Sequence, residues 1–175
     1  MVELAIEVDE KDNVIGVRPK EEFRNSNFIH RSSHLYLFNS KGEFLVQKRA
    51  FVKKSYPGLF DASVSGTVRD GETYEQTLER EMKEELGISV PYSKLFKYEF
   101  SDDVDKAIKT VFKATYDGPF KLQKEEVEAV YWMSLGDIKQ KMSEHPEQFC
   151  PPFFKALKIC FKNKFLEKND ENMKS

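Results

Sequence analysis

Residues 66–88, GTVRDGETYEQTLEREMKEELGI, carry seven acidic side chains and two arginines in 23 positions. Glu81, Glu84 and Glu85 are spaced i, i+3, i+4, which on a helix sets three carboxylates on one face. Like charges so placed repel by about 0.2–0.5 kcal/mol per pair. A helix with a purely structural task gains nothing from that arrangement, whereas a divalent cation reverses its sign. The helix itself is well specified. Thr73 and Gln76 stand three apart as a capping box, and Gly87 suits the left-handed position that ends a helix. Tyr74, Leu78, Met82 and Leu86 repeat every four residues and form an apolar stripe that faces a core. Glu81 and Glu85 fall at the edge of this stripe, partly out of water. Arg80 is within reach of Glu84 and of the preceding loop that carries Glu72. Hard oxygen ligands in a half-dry site suit Mg²⁺, which takes one or two carboxylates plus substrate phosphates.

The segment also resembles the box of the Nudix hydrolases, G-x5-E-x7-R-E-U-x-E-E-x-G-U, where U is a bulky apolar residue. Gly66, Glu72, Arg80, Glu81, Met82, Glu84, Glu85, Gly87 and Ile88 occupy all nine defined positions. The resemblance implies an α/β/α sandwich with a mixed central sheet. It also implies hydrolysis of a diphosphate, with Mg²⁺ or Mn²⁺ held by Glu81, Glu84 and Glu85. Glu72 and Arg80 then position the loop and helix.

At 175 residues the chain suits one domain with a sizeable core. Charged residues make up 33% but nearly cancel, leaving −2, which points neither to bulk nucleic acid nor to disorder. Cys150 and Cys160 lack metal-like spacing and are read as buried apolar side chains. Without a charged-then-apolar leader or an apolar run near 18 residues, the expectation is a cytoplasmic protein, monomeric or homodimeric, with no membrane partner.

Along the chain, residues 2–8 alternate as a strand, and Asp9 to Asn13 is a turn before a second short strand from Val14 to Val17. Lys20 to Asn27 reads as a loop or a single helical turn. Residues 34–39 and 43–49 flank Ser40-Lys41-Gly42, a hairpin signal. The alternating residues after Gly58 form a strand running into the acidic segment. Lys94 to Phe100, Ile108 to Thr115 and Val127 to Met133 are further strands. Ser134 caps a helix through about Met142, and Pro151-Pro152 opens a last helix whose Phe154, Leu157, Phe161 and Phe165 mark its apolar face. One domain over 1–166 with a disordered tail at 167–175 is expected.

A narrower resemblance runs from Val8 through Trp132. Ile29-His30-Arg31, Leu37-Phe38-Asn39, Gln47-Lys48-Arg49-Ala50, Lys53-Lys54 and Tyr56-Pro57-Gly58 are similar to isopentenyl-diphosphate isomerases and their hydrolase cousins. It implies that Arg49 and Lys53 bind the substrate diphosphate, gripping it opposite a carboxylate-held metal. The isomerase reaction itself is disfavoured. Its catalytic Cys falls at Ser65, one metal-binding His falls at Thr67 and another near Phe23, and its Glu pair finds no clear match near Val104 to Lys106. His30 keeps the remaining His position and is read as a hydrogen-bonded structural side chain. His34 and His145 receive no role, and Lys155, Lys158 and Lys162 form at most a solvated face or an oligomer contact.

The expected chemistry is attack of a metal-activated water on phosphorus, with Glu84 or Glu85, or a loop acid among Asp102, Asp103, Glu125 and Glu126, as general base. The resemblance implies a nucleoside di- or triphosphate, or another nucleotide-linked diphosphate, as substrate. The alternatives are the isomerase and a non-catalytic nucleotide-binding module.

Overall fold

The computed structural model describes residues 1–166, and the expected tail at 167–175 lies outside them. Among the described residues nine strands join in one mixed sheet, and α-helices cover both of its faces. The strand β1 (Leu4–Val8) pairs antiparallel with β2 (Val14–Pro19), and a 3-10 turn at Lys20–Phe23 leads to β3 (Ile29–Phe38).

β3 organises the sheet. One edge pairs in parallel with β8 (Lys106–Thr115) along its length, from His30↔Ala107 to Phe38↔Thr115. The other edge is shared in succession by β1 at residues 29–30, by β6 (Val64–Thr67) at residues 32–35, and by β4 (Phe44–Arg49) at Phe38. The expected hairpin therefore has its turn but almost no ladder, because Phe38↔Phe44 is its only register pair. β4 turns away to pair with β5 (Phe60–Asp61) and β9 (Val127–Met133). Competition from β6, distant in sequence, splits the hairpin. The strand expected after Gly58 is for the same reason two pieces, β5 and β6. β7 (Ser93–Ser101) completes the sheet against β8.

Alternation along β3 builds the two cores. Leu35 and Leu37 meet Leu78 on α1 (Tyr74–Glu81), with Met82, Leu86 and Phe112. Tyr36 and Phe38 point the other way, to Phe153 and Leu157 on α3 (Pro151–Asn163) and Ile138 on α2 (Leu135–Glu144). Each fully buried Leu side chain contributes about 1.5–3 kcal/mol. The last helix buries Phe153, Ala156, Leu157 and Cys160, whereas Phe154, Phe161 and Phe165 are half-buried at its margins. The stripe expected from sequence is thus offset. Both phases follow helical spacing, and only the sheet decides which one is covered. Cys150 and Cys160 are buried free thiols, as expected. No helix among the described residues is long and apolar enough to cross a membrane.

Candidate active site

The face of β3 that carries Phe38 and Tyr36 into the α3 core carries His34, Ser32 and His30 at its other end, where no helix covers it. There the sheet forms the floor of a cleft of about 940 Å³, and Arg49, Lys53, Gly66, Glu81 and Glu84 are among its walls.

The acidic wall is built by α1 and its approach. Both halves of the capping box form: Thr73 Oγ1 accepts from the Gln76 amide at 3.1 Å, and Gln76 Oε1 accepts from the Thr73 amide at 2.9 Å. The helix does not continue as an α-helix to Leu86. Residues Met82–Leu86 form a π turn, closed by Gly87 at φ 67°. Such wide turns are frequent at functional sites. Glu81 and Glu85 are buried, at 8% and 4% exposure, while the Glu84 side chain remains 42% exposed at the rim. The three carboxylates expected on one face are therefore split, two inward and one outward.

Arg80 ties the wall together. Its Nε donates to Glu72 Oε1 at 2.7 Å and its Nη2 to Glu72 Oε2 at 3.0 Å. Its Nη1 donates to Glu81 Oε1 at 2.6 Å and to Glu84 Oε2 at 3.2 Å. Glu72 also accepts from the Thr77 hydroxyl and the Arg69 amide. Burial opposes ionisation of Glu72, but the Arg80, Thr77 and Arg69 hydrogen bonds prevail and hold its carboxyl down to about 2.

Behind this wall, Glu85 accepts from Gln47 Nε2 at 3.0 Å and from the Ser65 amide at 3.2 Å. Desolvation, and then the neighbouring Glu81 charge, raise the Glu85 carboxyl above its usual value. Desolvation likewise raises Glu81, against the pull of Arg80. Two buried carboxyls that resist ionising together form a donor set a divalent cation would relieve. Among the described residues no three His, Cys, Asp or Glu side chains converge to hold a metal by themselves. A pair with a third acid at the rim nevertheless suits Mg²⁺, whose remaining ligands come from substrate and water.

Both expected phosphate-binding cations line the cleft, and both are already paired. Arg49 donates to Asp61 Oδ2 at 3.0 Å and to the Ser55 carbonyl. Lys53 pairs with Glu126. Of the loop acids weighed as general base, Glu125 and Glu126 line the cleft. Asp102 instead accepts from the Val104 and Asp105 amides and from the Tyr56 hydroxyl, which makes it a loop cap. Asp103 does not line the cleft.

Sequence reasoning missed a buried network on the floor. His30 Nε2 lies 2.6 Å from Asp105 Oδ1, and its Nδ1 lies 3.1 Å from the Arg31 carbonyl, so His30 is the hydrogen-bonded side chain expected. Lys109 Nζ meets Asp105 Oδ2 at 2.8 Å. Against burial, Lys109 and His30 hold the Asp105 carboxyl far below its usual range. His34, given no role from sequence, also lies on this floor. Only the alternation that puts it on the face of His30 hints at that.

The NUDIX domain profile matches residues 28–152, more than half of the chain. The chain belongs to the Nudix hydrolase family. A Nudix hydrolase of Yersinia pestis is 32% identical over 165 residues, covering 94% of this chain and 86% of that protein. A prenyl-diphosphate phosphatase of Methanosarcina mazei is 34% identical over 160 residues, covering 89% and 94%. Among solved structures, a Deinococcus radiodurans protein superposes with a TM-score of 0.79 at 21% identity, covering 91% of this chain and 99% of the other. Six of the nine defined positions of the Nudix box have a structural reason here. Gly66 admits Glu81, and Glu72 and Arg80 clamp loop to helix. Met82 and Ile88 fill the core, and Gly87 ends the π turn.

Proposed function

We propose that this Nudix hydrolase cleaves the diphosphate of a small molecule by water attack at phosphorus, with Mg²⁺ or Mn²⁺ held by Glu81 and Glu85 and completed by Glu84. The observation that carries this reading is the buried Glu81–Glu85 pair beside a cleft that also presents Arg49 and Lys53. The ion, when bound, polarises phosphoryl oxygens and acidifies the attacking water. Arg80 orients Glu81, and Gln47 and the Ser65 amide orient Glu85. Lys53 would exchange Glu126 for a phosphoryl oxygen, while Arg49, still paired with Asp61, adds its positive charge, and the freed Glu126 then joins Glu84 and Glu85 as a candidate acceptor for the water proton.

Two supports favour a substrate with an apolar organic part over the nucleotide implied by the family resemblance. The Methanosarcina relative is a prenyl-diphosphate phosphatase. An apolar groove of about 820 Å³, lined by Leu59, Phe149, Phe154 and Ile159, shares Tyr56 with the cleft. Among the described residues, the Phe, Tyr and Trp side chains that line the cleft are Phe23, which is buried, and Tyr56, whose hydroxyl is tied to Asp102. The nucleotide reading rests on the resemblance and on a Shewanella oneidensis Nudix domain structure containing ADP ribose, whose 17% identity conveys fold alone.

The test is a product analysis by mass with Mg²⁺, comparing prenyl diphosphates of increasing chain length with nucleoside di- and triphosphates and nucleotide sugars. Glu84→Gln is run in parallel. Faster turnover of the longer prenyl chains, lost in the variant, supports the proposal. Turnover of nucleotides alone replaces the substrate reading, and an isomerised product replaces the reaction.

A further inference from the structure

The cleft floor contains one polar atom that nothing in the site so far described uses. His34 is 2% exposed, and its Nε2 lies 3.0 Å from the Ser32 hydroxyl. Among the described residues its Nδ1 has no hydrogen-bond partner. Buried polar atoms are almost always partnered, so an orphan in a side chain that lines an open cleft marks a place where something else binds. Desolvation, and then the Lys109 charge, push the imidazole down to about 3, which makes the ring a neutral hydrogen-bonding group and a poor base near neutrality.

Its surroundings indicate the ligand's charge. Lys109, Asp61, Asp105 and Arg49 line the same cleft as the ring. The acids are already engaged, Asp61 by Arg49 and Asp105 by Lys109 and His30. On the sheet Ser32 stands in register with Lys109 and with Thr67, and His34 with Ser65, so hydroxyls and a cation share this face. With the Ser32 hydroxyl donating to Nε2, the ring proton sits on Nδ1 and completes a set of donors. A neutral donor among hydroxyls, with the acids of the cleft held in ion pairs, suits a phosphoryl oxygen.

We infer that the floor is a phosphoryl subsite in which His34 Nδ1, steadied by Ser32, donates to an oxygen of the bound diphosphate in the cleft that Lys109 and Arg49 also line. This rests on the diphosphate reading above. It makes His34 a substrate-binding residue outside the Nudix box.

The probe is inorganic diphosphate with Mg²⁺, titrated calorimetrically into the full chain and into His34→Leu, His34→Asn and Ser32→Ala, with thermal midpoints as the folding control. Asn offers a side-chain N–H near the place of Nδ1. The expected result is binding weakened about tenfold or more in His34→Leu, on the scale of one hydrogen bond to a charged group. His34→Asn recovers most of the loss, and Ser32→Ala, which keeps the ring but frees it to turn, loses about threefold. In turnover the loss appears in KM more than in kcat. Equal binding by folded His34→Leu or by Ser32→Ala and wild type would overturn the inference, leaving Nδ1 a buried atom without a ligand. Failure of the wild type to bind diphosphate at all would instead overturn the reading on which it rests.

Discussion

Gly66 and Glu81 meet in a contact that only glycine permits. A Cβ on residue 66 would stand 2.2 Å from Glu81 Cγ and 2.3 Å from Glu81 Oε1. The obstacle is the Glu81 carboxylate, so a side chain here displaces Glu81 from its place beside Arg80. Gly66→Ala is expected to lower kcat by about 10²-fold or more, the scale of losing one key electrostatic group, while costing about 1–3 kcal/mol as local overpacking. Kinetics and denaturant unfolding on the same preparation separate the two effects.

Arg80 balances Glu72, Glu81 and Glu84 with one planar fork, which Lys cannot reproduce. Arg80→Met should destabilise by about 2–3 kcal/mol, and Arg80→Lys should recover only part of this and little activity. The arrangement also has a pH signature. The folded Glu72 value of about 2 lies below its usual 4.5, so the stabilisation is present above the usual value and lost as pH falls between the two. Acid unfolding of Glu72→Gln should show a shallower pH dependence across that window.

Glu81 and Glu85 act in the opposite sense. Their folded values lie above the usual 4.5, so their contribution is complete below that pH and declines as pH rises through the folded values. The metal-free protein is therefore expected to lose thermal stability between about pH 5 and pH 8. Added Mg²⁺ should raise the midpoint more at the upper end. Glu85→Gln should flatten the metal-free profile and abolish the Mg²⁺ shift; an unchanged shift would show that the ion binds elsewhere.

Arg49 and Lys53 should respond differently to removal. The Arg49–Asp61 pair is nearly buried, at 13% and 4% side-chain exposure, so Arg49→Leu strands the Asp61 charge and should cost about 3–5 kcal/mol. Lys53 and Glu126 are 24% and 34% exposed, and breaking them should cost about 1 kcal/mol or less. Lys53→Met is thus the clean probe of diphosphate binding: KM should rise with the thermal midpoint nearly unchanged.

Local elements were legible along the chain because their causes are local. The capping box at Thr73, the left-handed Gly87 and the strand from Val127 to Met133 each follow from a few neighbouring residues. The misreadings arose where two local patterns were equally good. The Phe-rich last helix offered two apolar phases, and the hairpin at Lys41 had a proper turn whose strands found stronger pairing elsewhere.

By itself the sequence determined the family, the α/β/α layering and the identity of the acidic wall, since nine spaced residues and alternating strands encode those within short windows. The tertiary structure alone decided which carboxylates are buried, because the π turn and the Gly66 contact send Glu81 and Glu85 inward and Glu84 outward. It also decided that Arg49 and Lys53 start out paired and that His34 faces the cleft. Desolvation and ion pairing depend on groups brought together from across the chain, and neither is written in the spacing of any one segment.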